Sequence, residues 1–513
     1  MALTAELVRR GHELHFAFRE RPTEGLWERV QRSGLSHGVT RGAAPGRGQL
    51  DGWRSVAALV RALADLARYA HPRYDDARVL RERMEAATRT RLDKPFQYEP
   101  VGRMLARRRA RRLAAGTDAA LAERTIRQLA RIEDAVPASR RIRRYLEEQR
   151  PDVVLATAVM SKAGQIDVLK AARALRIPTG ICVASWDNLT NKGLLKFAPE
   201  RVFVWNDAQR GEAVDLHGIP ADRVVATGAQ LFDEWFDREP STTREDFVRK
   251  LGLDDAPYAV YLGSSSFITG RGDEVELVLE WVRALRESGV ESLRRLGVVV
   301  RPHPGAPRRW DGVGLEAFGN AVVWPQHGVM PIAHDARDDF FDTIAHGAAV
   351  VGLNTTAMIE AAVIGKSVLT ITAPGFAQAD TLHFRYLLEE NGGFLHVASS
   401  LEEHLGQLAR VLEEDAADEE RRRRFVEWFV RPHGIDRPAT PIFADAVEEL
   451  AGLDVVPPAR AGLALRAVLA VEASLSSVVL AFGLLRRRLR RRSARSARGR
   501  RSPAEQEAQV ARP

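Results

Sequence analysis

Two successive series of short apolar segments, alternating with helical ones, constrain the fold of this chain more than any other feature. The segments of the second series are rich in β-branched residues and are bounded by Gly, Pro or Asn, which is typical of buried parallel strands. The first series comprises 13–18, 152–157, 178–185, 201–205 and 222–227. The second series comprises 258–263, 297–301, 321–324, 348–352 and 367–372. The pattern predicts two doubly wound α/β units in tandem.

The length of 513 residues also favours two domains with additions, because one hydrophobic core rarely grows so large. We predict a first α/β domain over 1–235, interrupted at about 53–150 by a helical insertion rich in Ala, Leu and Arg. A second α/β domain is predicted over 236–450, with a last helix at about 438–450. An apolar helix and a polybasic tail complete the chain at 451–513.

The beginning of the chain departs from the usual order of an α/β domain, which opens with a strand. Here a short helical piece ending at Arg10-Gly11 precedes the segment 13–18. We therefore expect the first strand of the unit to be missing. Either the true start lies upstream, or the domain does without this strand.

Cysteine content and charge indicate the compartment of the protein and argue against one class of function, nucleic-acid binding. The single cysteine, Cys182, allows no internal disulfide, and residues 1–18 show no export signal, so a cytoplasmic location is expected. Ten arginines lie between Arg486 and Arg501, and without them the chain is close to neutral. The globular part therefore lacks the basic composition of a nucleic-acid-binding protein.

The segment Val350-Val351-Gly352-Leu353-Asn354-Thr355-Thr356 passes from a strand through a small polar turn directly into a helix. The free N–H groups at the start of that helix suit a phosphate, and the hydroxyls of Thr355 and Thr356 add donors. Glu360 follows one turn later, where it could accept a hydrogen bond from a ribose or sugar hydroxyl. The alternative is that Asn354 or Thr355 is only an N-cap.

Two further strand ends of the second series carry polar residues. Arg301 and His303 follow the strand at 297–301 in a turn stiffened by two prolines. Arg301 offers a fork for phosphate, and His303 could donate to a diphosphate or act as an acid or base. Ser264 and Ser265 follow the strand at 258–263 and could donate to the same ligand. A turn-capping histidine and an ordinary polar loop are the alternatives.

In the first domain, the segment Ser185-Trp186-Asp187-Asn188-Leu189-Thr190-Asn191-Lys192 follows a strand and so faces the same cleft. We predict an acceptor site here, with Asp187 as general base, Lys192 as partner of a phosphate or carboxylate, and Trp186 stacked on a sugar. Asn188 is included in this site. The alternative is a surface loop anchored by a buried tryptophan.

Weaker signals complete the predicted site. Asp380 follows the last long strand and could bind donor hydroxyls, whereas Arg431 and His433 are as consistent with a structural turn. The sequence contains no Cys/His cluster, no HExxH and no DxD triplet, which predicts no metal. A GxGxxG segment is also absent, which argues against a dehydrogenase.

The segments RPHPG and NTTAMIEAAVIGKSVLTI resemble the C-terminal half of GT-B-fold transferases, and SWDNLTNKG and RVFVWNDAQR are similar to the N-terminal half of envelope-polysaccharide proteins. The resemblance spans about 150–450 and is strongest to the CDP-glycerol glycerophosphotransferase and capsule-polysaccharide transferase group. It implies donor phosphates at Thr355, Thr356 and Arg301, a functional His303, and Glu360 at the ribose or sugar. Leu353-Asn354-Thr355-Thr356 departs from the usual Asp-aromatic-Ser-Ser run.

The combined prediction is a transferase that moves a glycosyl or glycerophosphoryl group from a UDP- or CDP-type donor to an envelope or lipid-linked acceptor. No permanently bound cofactor is expected. A UDP-GlcNAc 2-epimerase-like enzyme, which needs no acceptor, and a non-catalytic scaffold of the same fold are the alternatives.

The C-terminal tail suggests a membrane contact. Residues 461–485 are mostly apolar, but their charge-free part, 473–485, is shorter than the roughly 20 residues of a spanning helix. The polybasic run follows at once. We predict peripheral attachment to an anionic inner leaflet, with a disordered basic tail or a single tilted span as alternatives.

Overall fold

A computed structural model gives the fold of the protein. It describes residues 2–18, 24–157, 163–269, 272–373, 375–376, 381–413, 416–456 and 461–499. The chain forms two α/β lobes with parallel sheets, with a helical insertion in the first lobe and a helical tail after the second. The predicted α/β fold class with two parallel-sheet domains and a helical C-terminal region is confirmed.

The first lobe is built on a four-stranded parallel sheet with its strands in sequence order. These strands are β3 Val154–Ala156, β4 Thr179–Cys182, β5 Arg201–Val204 and β6 Val224–Ala226. A separate parallel pair consists of β1 Leu14–Phe18 and β2 Val39–Ala43. All five segments of the first series contain a strand. Sequence analysis missed β2, whose sequence, VTRGA, includes an arginine and a glycine and lies at a half-exposed edge.

Ten helices belong to the first lobe and its insertion, within the described residues. They are α1 Ala2–Arg9, α2 Glu24–Arg32, α3 Trp53–Tyr69, α4 Arg78–Leu92, α5 Pro100–Ala114, α6 Ala119–Ala135, α7 Arg140–Gln149, α8 Ala163–Ala174, α9 Asn188–Asn191 and α10 Asp207–His217. Helix α1 precedes the first strand, as the sequence predicts. The insertion is helical throughout α3 to α7, as predicted.

The insertion has a core of its own around α3, which is buried along nearly its whole length. Its apolar residues recur at helical spacing and pack on α6. Arg61 of α3 forms a buried ion pair with Glu133 of α6 and another with Asp167 of α8. This network fixes the insertion to the first lobe.

The second lobe contains a six-stranded parallel sheet in the order β12-β11-β10-β7-β8-β9. Its strands are β7 Tyr258–Leu262, β8 Gly297–Arg301, β9 Ala321–Val323, β10 Ala349–Gly352, β11 Val368–Ile371 and β12 His396–Ala398. All five predicted strands of this lobe are present. Strand β12 was not predicted; its sequence, HVA, begins with a histidine and contains one β-branched residue.

The remaining helices connect these strands and close the chain. They are α11 Asp233–Phe236, α12 Arg244–Leu251, α13 Ser266–Thr269, α14 Glu274–Glu287, α15 Glu291–Arg295, α16 His334–Ala345, α17 Thr356–Ile364, α18 Leu401–Leu412, α19 Ala416–Phe425, α20 Ala439–Ala451 and α21 Leu463–Gly499. A π-helical turn, Val426–Val430, follows α19.

Helix α20 lies on the first lobe, although sequence analysis assigned its residues to the second domain. Its Phe443 packs on Phe203 of β5, with ring centroids 5.0 Å apart. The buried carboxylate of Asp233 accepts hydrogen bonds from the first N–H groups of α20 and from Arg431. The chain therefore crosses back between the lobes at 431–439, and the alternative of a structural turn at Arg431 is the one observed.

Candidate functional site

The second sheet changes its direction of winding between β7 and β10. From β7 the chain proceeds to β8 and β9 on one side, and then returns to β10, β11 and β12 on the other. The register pairs Leu262 with Gly352, so the loops after β7 and β10 start side by side and diverge. Ligands of doubly wound sheets bind in the crevice that such a switch point opens at the carboxyl ends of the strands. The predicted serine and threonine segments both lie there.

The loop after β7 is held by a buried carboxylate. Glu274, at the start of α14, accepts a hydrogen bond from the backbone N–H of Ser264 at 2.7 Å. Arg309 is ion-paired with Glu274 and donates to the carbonyl of Ser264 at 3.0 Å. The hydroxyl of Ser264 is buried, and within the part of the chain that the structure describes it has no hydrogen-bond partner. A buried donor without a partner is costly, so this hydroxyl is an unsatisfied polar group at the switch point.

The loop after β10 leads into the nine-residue helix α17. Thr355 is its N-cap in extended conformation, yet among the described residues its side chain makes no capping hydrogen bond. The first N–H groups of α17 are therefore not satisfied by the hydroxyl that usually caps them. Thr355 and Thr356 are half-buried, and the amide of Asn354 donates to the Thr381 hydroxyl at 3.0 Å. Thr355 therefore occupies the N-cap position without capping the helix through its side chain, and the anion site stays a prediction.

His303 follows β8 and is half-buried beside this crevice. Its Nδ1 accepts a hydrogen bond from the Gly305 N–H at 2.9 Å, so the neutral ring carries its proton on Nε2. Burial and the charge of Arg309 lower the pKa of His303, which keeps the ring neutral at pH 7. His303 is therefore better suited to donate from Nε2 than to act as a base.

Arg301, predicted to bind donor phosphates, is occupied by protein groups. Its guanidinium pairs with Asp339 at 2.9 Å and donates to the Thr343 hydroxyl at 2.7 Å, both on α16. Both contacts use Nη1, and they hold α16 against the end of β8. The predicted contact of Arg301 with donor phosphates stays a prediction.

Glu360 lies one turn into α17, as the sequence predicts. Burial raises the pKa of Glu360 to about 7, although the nearby charge of Arg337 and a contact with Trp235 lower it in part. A carboxyl group with this pKa exists in both forms near neutral pH and can accept or donate a hydrogen bond. Asp380 lies outside the described residues, and its predicted contact with the donor stays a prediction.

The predicted acceptor loop follows β4 in the first lobe and contains an ion pair. Lys192 contacts Asp187 at 2.9 Å, and the Ser185 hydroxyl donates to the same carboxylate at 2.8 Å. Burial would raise the pKa of Asp187, but Lys192 and His383 outweigh it and hold the pKa below its ordinary value. A carboxylate of lowered pKa is a weak base, so the structure argues against Asp187 as the general base. The ammonium of Lys192 remains 38% exposed.

Two neighbours of Asp187 serve the loop itself. Trp186 is buried, and its ring packs edge-on against His383 with centroids 4.4 Å apart. This contact corrects the predicted sugar-stacking role, since the indole is already covered by protein. Asn188 donates to Asp187 and accepts from the Ala184 N–H, which closes the turn after β4.

Contacts between the lobes join the two halves of the site. Thr190, in the predicted acceptor loop, is hydrogen-bonded to His383 of the second lobe at 2.9 Å. Next to it, Tyr386 donates to Glu212 of α10 at 2.8 Å. Burial raises the pKa of Glu212 to about 7, and within the described residues its second carboxylate oxygen has no partner. These contacts place the loop after β4 and helix α10 against the segment 383–386 of the second lobe.

Sequence analysis missed Arg309, Glu212, Glu274 and His383. Arg309 stands in a loop of low apolar content, and Glu212 and Glu274 lie on helices where a carboxylate usually faces solvent. Only burial distinguishes Glu212 and Glu274 from solvent-facing carboxylates on other helices. No group of three potential metal ligands occurs among the residues that are described, and a metal-free reaction stays a prediction.

Comparison with family models finds no match to this sequence, and comparison with curated proteins finds none either. Solved structures give distant similarities. UDP-GlcNAc 2-epimerase from Neisseria meningitidis, bound to UDP-GlcNAc, is 15% identical with a TM-score of 0.42, over 63% of this chain and 82% of that chain. A glycosyltransferase from Rickettsia africae is 11% identical with a TM-score of 0.39, over 63% and 82%.

A third similar structure is WaaG, a glycosyltransferase involved in lipopolysaccharide biosynthesis. It is 16% identical, with a TM-score of 0.37, over 61% of this chain and 81% of that chain. Similarities of this extent assign neither a substrate nor a reaction to the present chain.

Proposed function

We propose that the protein is a transferase that binds a nucleotide-diphosphate donor in its second lobe and moves a glycosyl or glycerophosphoryl group to an acceptor bound at the first lobe. The observation that carries this proposal is the pairing, at one switch point, of the unpartnered Ser264 hydroxyl with the uncapped start of α17. An anion satisfies both groups at once. The diphosphate of a nucleotide-diphosphate donor is such an anion.

On the donor side, the backbone N–H groups of Thr355 and Thr356 and the hydroxyl of Ser264 would donate to the diphosphate. His303 would add its Nε2–H, because its Nδ1 is already bonded to Gly305. In glycosyl transfer the C–O bond to the diphosphate breaks and a nucleoside diphosphate leaves, whereas in glycerophosphoryl transfer the bridging P–O bond breaks and a nucleoside monophosphate leaves. In both cases negative charge grows on the leaving phosphate, and donors fixed in advance stabilise it. Glu360 would accept from, or donate to, a donor hydroxyl.

On the acceptor side, a hydroxyl oxygen would attack the transferred group while its proton passes to a base. Glu212 fits this role better than Asp187, since a pKa near 7 suits proton transfer at neutral pH. Lys192 would bind a phosphate or carboxylate of the acceptor. We propose an envelope or lipid-linked acceptor and a UDP- or CDP-type donor.

A proline at the first position of α17 tests the anion site. Thr356→Pro removes one backbone donor, yet the helix tolerates it, because proline is favoured at this position and Thr355 is already extended. We expect the dissociation constant for UDP or CDP to rise by about tenfold or more, the usual effect of losing a charge-assisted hydrogen bond. Isothermal titration calorimetry with UDP, CDP, GDP and dTDP measures it.

Two variants control this experiment. His334→Pro makes the same change at the exposed start of α16, where Ala333 is also extended, and should leave nucleotide affinity unchanged. Thr356→Ala removes the hydroxyl and keeps the N–H group, so it separates side chain from backbone. Equal nucleotide affinity in wild type and Thr356→Pro would exclude the proposed site. Conversion of UDP-GlcNAc in the absence of any acceptor would show that the protein is an epimerase and not a transferase.

A further inference from the structure

The outer face of α21 is apolar and exposed. Its large side chains recur at alternating three- and four-residue spacings, and most are about half exposed or more. They are Val468, Val471, Leu475, Val478, Phe482 and Leu485. The exposed residues between Ala467 and Leu485 carry no charge, over a length of about 28 Å. Within the described residues, only the segment Leu463–Leu489 is long and apolar enough to cross a bilayer by length and composition.

The opposite face of α21 is packed on the insertion. Leu469 and Ala473 belong to the same buried cluster as the apolar residues of α3. The Gly52 N–H at the start of α3 donates to the Ser477 hydroxyl at 3.0 Å. A helix that lies along the protein in this way cannot also run across a bilayer. The exposed face of α21 can therefore contact lipid only with the helix lying parallel to the membrane surface.

Helix α5 extends this surface. Gly102 of α5 lies against Glu472 of α21, so the two helices are neighbours. The first turns of α5 expose Val101, Met104 and Leu105, each by more than half. On both helices these residues lie opposite to the buried residues that pack towards α3. We call the exposed apolar side chains of α5 and α21 together the apolar face.

The charges around the apolar face are basic. Helix α5 carries six arginines, Arg103, Arg107, Arg108, Arg109, Arg111 and Arg112, and three more begin the run at Arg486. The only acidic residue of α21 is Glu472, which faces α5. Two copies of the chain joined through this face would bring basic ends together without acidic partners. An anionic bilayer offers both the apolar interior and the negative charge.

We infer that the apolar face inserts into the surface of an anionic bilayer, with α21 parallel to the membrane plane and α5 beside it. The cluster beneath the face also contains Leu194, at the end of the loop with Asp187 and Lys192. Membrane binding would hold that loop next to lipid. The inference does not depend on the proposed function, because any chemistry could be attached to the membrane in this way.

Binding of the full-length protein to vesicles tests the inference. We expect sedimentation with phosphatidylglycerol–phosphatidylcholine vesicles, much less with phosphatidylcholine alone, and weaker binding as salt rises. The variant Val471→Ser/Val478→Ser/Phe482→Ser should lower the partition coefficient by at least about tenfold, since each side chain loses apolar burial. Met104→Ser/Leu105→Ser should also lower it, which attachment through the tail alone does not predict.

The control variant Val290→Ser/Val329→Ser/Met330→Ser changes three equally exposed apolar residues elsewhere and should bind like wild type. Equal binding of wild type and the α21 variant would overturn the inference. So would resistance of the bound protein to alkaline carbonate, which indicates a spanning helix. A lipid-free dimer that dissociates in the α21 variant would assign the face to a second copy instead.

Discussion

At the scale of single residues, Glu212 shows how burial can prepare a carboxyl group for chemistry. It is 4% exposed, with Tyr386 donating to one oxygen. Burial raises the pKa of Glu212 from its ordinary 4.5 to about 7. The folded protein therefore keeps this proton over a pH range in which the unfolded chain has already lost it. Stability must fall as pH rises from about 4.5 to about 7, and the loss is complete above that range.

Glu212→Gln should remove this dependence, because an amide does not ionise and can still accept from Tyr386. We expect the variant to be more stable than wild type at pH 8, by up to about 3 kcal/mol, and similar to wild type below pH 4.5. Thermal unfolding at several pH values measures it, with the exposed Glu245→Gln as control. Parallel pH profiles of wild type and Glu212→Gln would contradict the prediction.

At the scale of elements, the start of α20 depends on one buried carboxylate. Asp233 accepts from the N–H groups of Ala439 and Thr440, from the Thr440 hydroxyl and from Arg431. It thus caps the helix and balances the charge of Arg431, which is itself buried. Since α20 belongs to the core of the first lobe, this carboxylate connects the end of the second lobe to the first.

Asp233→Asn should destabilise the protein by about 3 kcal/mol or more, because the charge of Arg431 is then left buried and unpaired. Thermal unfolding and hydrogen exchange of α20 measure the effect. On the same helix, Asp445→Asn breaks a pair with Arg10 in which the aspartate is 62% exposed, and it should cost less than about 1 kcal/mol. Equal losses of stability in the two variants would show that the buried pair of Asp233 and Arg431 contributes no more than the exposed pair of Asp445 and Arg10.

At the scale of the whole molecule, the tail helix α21 packs on helix α3 of the insertion, and α3 in turn contacts the loop after β4. Tyr69 and Asp65 of α3 contact this loop at Thr190 and Leu194. At the other end of α3, Gly52 lies so close to α21 that a Cβ atom would be 1.7 Å from the carbonyl oxygen of Ala473. The glycine is required by this approach, since its own backbone angles suit any residue.

Gly52→Ala tests the close approach of α3 and α21. The contact with Ala473 predicts that the added Cβ atom displaces α21. We expect faster tryptic cleavage within α21 and a lower thermal midpoint. Gly48→Ala is the matched control, because its nearest neighbour would be 3.9 Å away. Unchanged cleavage of Gly52→Ala would show that the helix is not held at this point.

Local sequence patterns are enough to predict most of the strands and their order along the chain. Short apolar segments, most of them rich in β-branched residues, predict ten of the twelve strands that the structure describes, since strands buried on both faces of a parallel sheet are apolar throughout. The same segments predict the loops of the candidate site, because parallel strands place their carboxyl ends at one edge. Strands β2 and β12 were not predicted, because VTRGA contains an arginine and a glycine and HVA begins with a histidine.

Which side chains meet depends on the tertiary structure. Arg301 pairs with Asp339, Trp186 packs on His383, and Asp187 pairs with Lys192, and no sequence pattern predicted these three contacts. Partners such as Thr190 and His383 are 193 residues apart, and no local pattern relates them. The physical reason is that periodicity records which face of an element is buried, whereas charge and pKa depend on neighbours that distant parts of the chain supply.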